Sequence, residues 1–428
     1  MVYGKCMRKV GLGRLIVFLV VAIIFLQIVH FYSLTYMHSK DSELGTPHPH
    51  KMTKKESSSS DKVIQRLQDS NLMDSSGSYY LIRNLISPES RSGNSDQTNH
   101  YSDVTLVTQC SANHLDDLVD LTDRWDGPVS ISIFTYDKDF PFAIRALLYF
   151  QKCYKKIRRH VFFNMIYPID KPPRIPDIEK ISVKAINCDK SFGELRTANP
   201  ENYALSGIEY PHNILRNFAL KGVTSPYVFV VDIDLIPSGN LLQDFKTFIE
   251  RRKQSPDGLP KHDKVAFVVP CFEIKESTKI PETKAVLLDE IKSNNVRPFY
   301  AEVCQRCQKQ TSYSEWMKLV NVDFLDVGFS LDWKDPWEPF FITDKHLPLY
   351  DERFKQYGFN RISQVCEMHI AGYRFDVLNN AFLVHKGFKF PERFHKGKEE
   401  ELAKNRMLFR TFKEELKSKY QDTTRRCY

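Results

Sequence analysis

Five short apolar runs between residues 104 and 237 constrain the fold more than any other feature of the chain. They are VTLVTQC (104–110), VSISIFTY (129–136), HVFFNMIY (160–167), IEKISVKAI (178–186) and YVFVVDIDLIP (227–237). Each is rich in the β-branched and aromatic residues that suit a pleated, half-buried surface. Helix-like stretches separate most of them: SANHLDDLVDLTDRW, AIRALLYFQKCYKK and PHNILRNFALKGV. Strand and helix signals in alternation predict an α/β domain, a parallel sheet flanked by helices. Ligands of such sheets bind beyond the carboxyl ends of the strands, where the strand order reverses. No internal repeat is visible.

The last of these runs carries VFVV straight into Asp232-Ile233-Asp234. In an extended segment alternate side chains point to opposite sides, so both carboxylates face one way and Ile233 the other. Two carboxylates at the end of a buried strand repel unless a cation lies between them. A hard divalent ion fits, and its remaining positions can take diphosphate oxygens. That arrangement suits transfer from a nucleotide sugar, because the ion neutralises the departing diphosphate. The Asp-x-Asp triplet alone is weak, since such triplets also occur on solvated turns and helix caps.

Upstream, residues 15–34 read LIVFLVVAIIFLQIVHFYSL, with no Asp, Glu, Lys or Arg. As a helix this run covers roughly 30 Å, the thickness of a bilayer core. Lys5, Arg8, Lys9 and Arg14 precede it, which places the short N-terminus in the cytoplasm and the rest in a lumen. A cleaved signal peptide would have a shorter apolar region and a small-residue cleavage site. The expected organisation is a cytoplasmic tail (1–14), a signal anchor (15–36), a flexible luminal stem (37–100) with a short helix around 63–72, and a luminal catalytic domain (101–428). This is the layout of a type II Golgi membrane glycosyltransferase, although membrane proteases and sulfotransferases share it.

Of 428 residues, 42% are apolar and 27% charged, ordinary values for a folded chain, with a formal net charge of +8. No basic tract or zinc-finger spacing accompanies that charge, so nucleic acid is excluded as a partner. Of nine cysteines, Cys6 would be cytoplasmic, which leaves eight in an oxidising lumen and up to four disulfides of undetermined pairing. The lone Cys304-x-x-Cys307 suits a disulfide better than zinc. No Asn-x-Ser/Thr acceptor occurs.

Several longer strings add a resemblance. TLVTQ at Thr105, NILRNFA at Asn213, VVDIDLIPSGNL at Val231, FVVPCFEI at Phe267, RPFY at Arg297, DPWEPFF at Asp335, DERFKQYGFNRISQVCEMHIAGYRFDVLN at Asp351 and FLVHKGFK at Phe382 together resemble glycosyltransferase family 49. The match runs in order from about residue 104 to the C-terminus. The resemblance implies a GT-A fold and an inverting transfer of glucuronic acid from UDP-glucuronate, with Mn²⁺ as cofactor. It implies as acceptor a glycoprotein O-mannosyl glycan of the α-dystroglycan type ending in xylose, whose β1,4-glucuronyl product primes matriglycan. It also allows a complex with a LARGE-type glycosyltransferase. Two alternatives stand beside it: β-1,3-N-acetylglucosaminyl transfer in poly-N-acetyllactosamine synthesis, and a catalytically silent GT-A scaffold or lectin-like partner.

The resemblance assigns metal binding to Asp232 and Asp234. His385, at the end of AFLV and before Lys386-Gly387, sits where GT-A enzymes supply a further ligand; its bland role is a hydrogen-bonded surface histidine. Thr108 and Gln109 end the first strand, where the family places uridine contacts. Asn213 and Arg216 lie one turn apart on one helix face. Arg216 could hold a diphosphate or a donor carboxylate, or make only a structural pair. An inverting reaction needs one carboxylate base, with Asp335, Glu338, Asp351 and Glu367 as candidates. The apolar neighbours of Glu338 would raise its pKa, Asp351 could simply cap a helix, and Glu367 has a structural ion pair as its default. Trp337, Phe340 and Phe341 suit an acceptor platform or core packing.

Overall fold

The computed structural model describes residues 59–69, 72–89, 103–181, 183–195, 203, 207–254, 264–391 and 397–427, with Gln27 in isolation. The proposed anchor otherwise lies outside the described residues. Among the described residues no helix is long and apolar enough to cross a membrane.

A nine-stranded sheet organises the fold. Its strands are β1 (Tyr79–Ile86), β2 (Val104–Ser111), β3 (Val129–Phe134), β4 (Val161–Pro168), β5 (Tyr227–Val230), β7 (Val265–Val269), β10 (Asp326–Leu331), β11 (Phe340–Asp344) and β12 (Arg374–Asn379), in the order β1-β4-β3-β2-β5-β11-β7-β12-β10. The six strands β2, β3, β4, β5, β7 and β12 run one way, whereas β1, β10 and β11 run against them. The α/β expectation therefore holds, but the sheet is mixed. A second, four-stranded sheet pairs β6 (Leu235–Pro237), β13 (Leu383–Lys386), β8 (Cys271–Ile274) and β9 (Val296–Pro298) in the order β6-β13-β8-β9.

From β2 the chain proceeds outward through β3 to β4, and then returns to place β5 on the other side of β2. The order thus reverses at β2 and β5, and a crevice opens beyond their carboxyl ends. Strand β5 is wholly apolar from Val228, with Phe229 fully buried, and each such side chain contributes about 1.5–3 kcal/mol by leaving water.

Three expectations change. The run 227–237 is not one strand: it leaves the large sheet after Val230 and enters the small one at Leu235, with Asp232-Ile233-Asp234 in the connecting turn. The run 178–186 is not a strand. Pro176 at the start of the helix Ile175–Glu179 favours a helical turn, and the buried Ile178 and Ile181 are three residues apart, a helical spacing. Finally, part of the span read as stem is folded. The helix Ser59–Asp69 buries Val63 and Leu67, and β1 pairs antiparallel with β4 at the sheet edge. The polar average of that span hid the apolar YYLIRNLI within it.

Among the described residues three disulfides form, Cys153–Cys188, Cys304–Cys307 and Cys366–Cys427, while Cys110 and Cys271 remain buried thiols.

Candidate active site

A cavity of about 1280 Å³ opens beyond β2 and β5, lined by Gln109, Arg216, Asp232, Asp234, Glu338 and Arg361 among others. Ile233 is buried between the two half-exposed aspartates, so the alternation read from the sequence persists through the turn.

The two carboxylates have different partners. Asp232 accepts from Arg216 Nη2 through Oδ1 at 3.1 Å and from Arg361 Nη2 through Oδ2 at 2.7 Å. Both guanidiniums are buried, Arg216 on the helix His212–Lys221 and Arg361 on the helix Asn360–Ile370. Burial works against ionisation of Asp232, but Arg361 and Arg216 outweigh it and hold its pKa below the ordinary value. Asp234 Oδ2 instead lies 3.1 Å from His385 Nε2 and 3.2 Å from Lys389 Nζ. Its pKa is also driven down, Lys389 and His385 overcoming the cost of burial.

The donor set at Asp234 fits a divalent cation. Two ligands side by side on an ion at about 2.1 Å are separated by about 3 Å, which matches the Asp234–His385 spacing. His385 Nδ1 lies 2.7 Å from the carbonyl of Gly387 and donates to it when Nε2 is the free nitrogen, the usual way a ligating imidazole is oriented. Gly387 has φ +90°, a conformation that glycine adopts without strain and that turns this carbonyl back toward the ring. Among the described residues no cluster of three His, Cys, Asp or Glu side chains could hold a metal. Asp234 and His385 would therefore provide two ligands, with Asp232 committed to its arginines.

Two of the candidate bases, Asp335 and Glu338, line this cavity, and Glu338 is the less exposed of the two. Its pKa is pushed up to about 7, chiefly by burial, with Arg361 and Arg216 opposing. Its backbone is held firmly: its N–H donates to the Cys307 carbonyl at 2.9 Å, and its carbonyl accepts from Gln308 Nε2 at 3.0 Å. Asp351 and Glu367 are not brought to the site. Asp351 borders a separate cavity of about 640 Å³ and its carboxylate is chelated by Arg353. Glu367 accepts from Lys419 Nζ at 2.6 Å and Tyr420 Oη at 2.9 Å, tying its helix to the C-terminal segment. Asp335 lines the cavity rim beside Lys413 and Arg306. Trp337, Phe340 and Phe341 are buried core residues, not an exposed platform.

The remaining site residues divide into lining and support. Gln109 lines the cavity and accepts a hydrogen bond from Tyr210 Oη. Thr108 is fully buried behind it. Asn213 is also buried. Its Oδ1 accepts from Arg216 at 3.1 Å and its Nδ2 donates to the carbonyls of Asp351 and Asn360, so it aims Arg216 instead of touching a ligand. Sequence reasoning missed Arg361 and Lys389, both inside recognised strings but with no spacing signal of their own. It also missed a mainly basic wall: the helix Lys398–Lys419 turns Arg406, Arg410 and Lys413 toward the cavity, with Leu402 and Phe409 between them and Glu399 in its first turn, beside Arg306.

Residues 103–421 match the family described as "Glycosyl-transferase for dystroglycan". The chain belongs to this family. It is 36% identical to β-1,4-glucuronyltransferase 1 of Danio rerio, over 98% of this chain and 99% of the relative. The Bos taurus protein of the same name is 38% identical over 84% of each chain. Xylosyl- and glucuronyltransferase LARGE2s of Gallus gallus is 28% identical over 66% of this chain and 32% of its own length. The chain is thus a homologue of β-1,4-glucuronyltransferase 1, with a more distant relationship to the LARGE proteins.

Proposed function

We propose that this glycosyltransferase transfers glucuronic acid from UDP-glucuronate, in β1,4 linkage and with inversion, to a terminal xylose on an O-mannosyl glycan of the dystroglycan type. Similarity to glucuronyltransferases over nearly the whole chain supports the donor and acceptor classes. The observation that carries the chemistry is one cavity lined both by a high-pKa carboxylate, Glu338, and by Asp234, whose Oδ2 lies 3.1 Å from His385 Nε2.

In this reading the nucleoside lies against Gln109 and Tyr210, and the diphosphate lies toward Asp234. A divalent cation such as Mn²⁺, when bound at Asp234 and His385, supplies positive charge to the departing diphosphate. Glu338 accepts the proton of the acceptor hydroxyl as that oxygen attacks the anomeric carbon. The bond from that carbon to the diphosphate oxygen breaks, and UDP leaves with the electron pair. A group titrating near 7 is well matched to this role, since about half of it is ionised at neutral pH and it is far more basic than an ordinary carboxylate. Arg216 and Arg361 keep Asp232 ionised and fix the floor of the site. The acceptor approaches along the helix Lys398–Lys419.

The apolar run at 15–34 supports a Golgi signal anchor with the catalytic domain in the lumen, and the three disulfides suit that oxidising compartment. A LARGE-type enzyme, which would extend the product, is the partner this placement favours. The test is a panel of UDP-sugars offered to the purified domain with a β-xyloside acceptor. UDP-glucuronate should be the productive donor. Preferential use of UDP-N-acetylglucosamine would replace this reading with the alternative transfer, and no turnover of any donor would favour a scaffold.

A further inference from the structure

Three strings far apart in the chain, CFEI, RPFY and HKGFK, meet at one point of the small sheet. Glu273 of β8 stands in register with Arg297 of β9 on one side and with His385 of β13 on the other. The Glu273 side chain is fully buried, and its carboxylate accepts from Arg297 Nε at 2.8 Å, the Tyr300 N–H at 2.8 Å and the Lys389 N–H at 3.2 Å. Arg297 in turn donates from Nη2 to the Lys389 carbonyl at 2.9 Å, and the rings of Phe388 and Phe390 lie 4.2 and 5.1 Å from its guanidinium carbon. The backbone of Lys389 is therefore held at both its N–H and its carbonyl by one buried ion pair. A buried carboxylate with three donors and a charged partner is fully compensated, and it fixes geometry in a way that a solvated pair does not.

What the clamp presents is the Lys389 ammonium. It lies 3.2 Å from Asp234 Oδ2, lines the cavity and sits over the rings of Phe299 and Tyr300 at 5.5 and 5.9 Å. Lys389 is the main charge that offsets the burial of Asp234, and a metal cation bound between Asp234 and His385 would compete with it for the same carboxylate oxygen. The ammonium would then be left facing the space assigned to the diphosphate.

We propose that Lys389 is a second cation for the leaving diphosphate, aimed by a Glu273–Arg297 clamp. The proposal rests on the nucleotide-sugar reading of the cavity. Lys389 binds the anion directly; Glu273 and Arg297 are positioning residues that act through it.

The test is calorimetric titration of UDP into the full luminal domain, with Mn²⁺ and with chelator, for wild type, Lys389→Met, Lys389→Arg, Glu273→Gln, Arg297→Lys and the double variant Lys389→Met/Glu273→Gln. Melting curves identify any variant that fails to fold. Loss of a charge-assisted bond to the diphosphate should raise the UDP Kd about 10- to 100-fold in Lys389→Met, with or without metal. Lys389→Arg should recover part of the loss. The clamp variants should weaken UDP binding in the wild-type background and add nothing in the Lys389→Met background, the non-additivity of residues acting through one another. If Lys389 only balances the charge of Asp234, its removal frees a metal ligand, and UDP binding with Mn²⁺ stays the same or tightens, which overturns the proposal. Additive losses in the double variant overturn the clamp. A wild-type protein that binds no UDP overturns the underlying donor reading as well, and so is distinguished from failure of the Lys389 assignment alone.

Discussion

Replacing Glu338 with Gln tests the base assignment through stability as well as rate. The Glu338 carboxyl titrates near 7 in the folded chain against an ordinary 4.5. Below pH 4.5 folded and unfolded chains both hold the proton, so the substitution is close to neutral. As pH rises from 4.5 the unfolded chain releases its proton while the folded chain retains it, and the wild type loses stability until it too ionises near pH 7. That gap, at 1.36 kcal/mol per pH unit, has a ceiling of about 3 kcal/mol. Gln cannot ionise and is spared the loss. Denaturant titrations at pH 4.5, 6 and 8 should therefore show Glu338→Gln near wild type in acid and about 3 kcal/mol more stable at pH 8. The same protein should lose about 10²- to 10⁴-fold in kcat, the usual contribution of a positioned base. Wild-type kcat/KM should rise about tenfold per pH unit below 7 and level off above it. A stability difference that does not change with pH, or a variant that retains the wild-type pH–rate profile, would refute the assignment.

Asp232 and Asp234 should separate in their effects. Asp232→Asn leaves two buried guanidiniums short of a counter-charge and should cost about 3–5 kcal/mol by chemical denaturation. Asp234→Asn should cost less than about 1 kcal/mol, because its partners are partly solvated, but it should abolish the tightening of UDP binding by Mn²⁺ in calorimetry. Cys427→Ser opens the loop closed to Cys366 across 61 residues and should lower stability by about 2–4 kcal/mol, a difference that vanishes once both proteins are reduced. Arg406→Glu with Arg410→Glu should raise the acceptor KM in steady-state assays while leaving the UDP Kd unchanged.

Strands β2, β3, β4 and β5 were legible because a run of β-formers buried on both faces cannot be polar, and the helix before Asp232 showed through its 3.6-residue period. The run 178–186 misled because isoleucines spaced for a helical turn also read as a strand when proline is overlooked. The small sheet was nearly invisible: β6 and β9 span three residues each, too few for any periodicity. At the site, Asp234, His385 and Glu338 announced themselves by local context, a strand end or an apolar setting. Arg361 and Lys389 did not, because an arginine on a helix or a lysine in a loop carries no spacing signal. Their role exists only once strands from distant parts of the chain are brought into register. The same holds for Glu367, whose partner Lys419 comes from a distant helix, whereas Asp351 is taken up by Arg353 only two residues on.

The most direct test of the central claim is product analysis. The purified protein, supplied with Mn²⁺, UDP-glucuronate and a β-xyloside, should yield a disaccharide whose NMR spectrum shows a β1,4-linked glucuronic acid, and Asp234→Asn should yield none. Equal product from the Asp234→Asn protein, or no glucuronyl xyloside from a folded wild-type domain that binds UDP, would contradict the account.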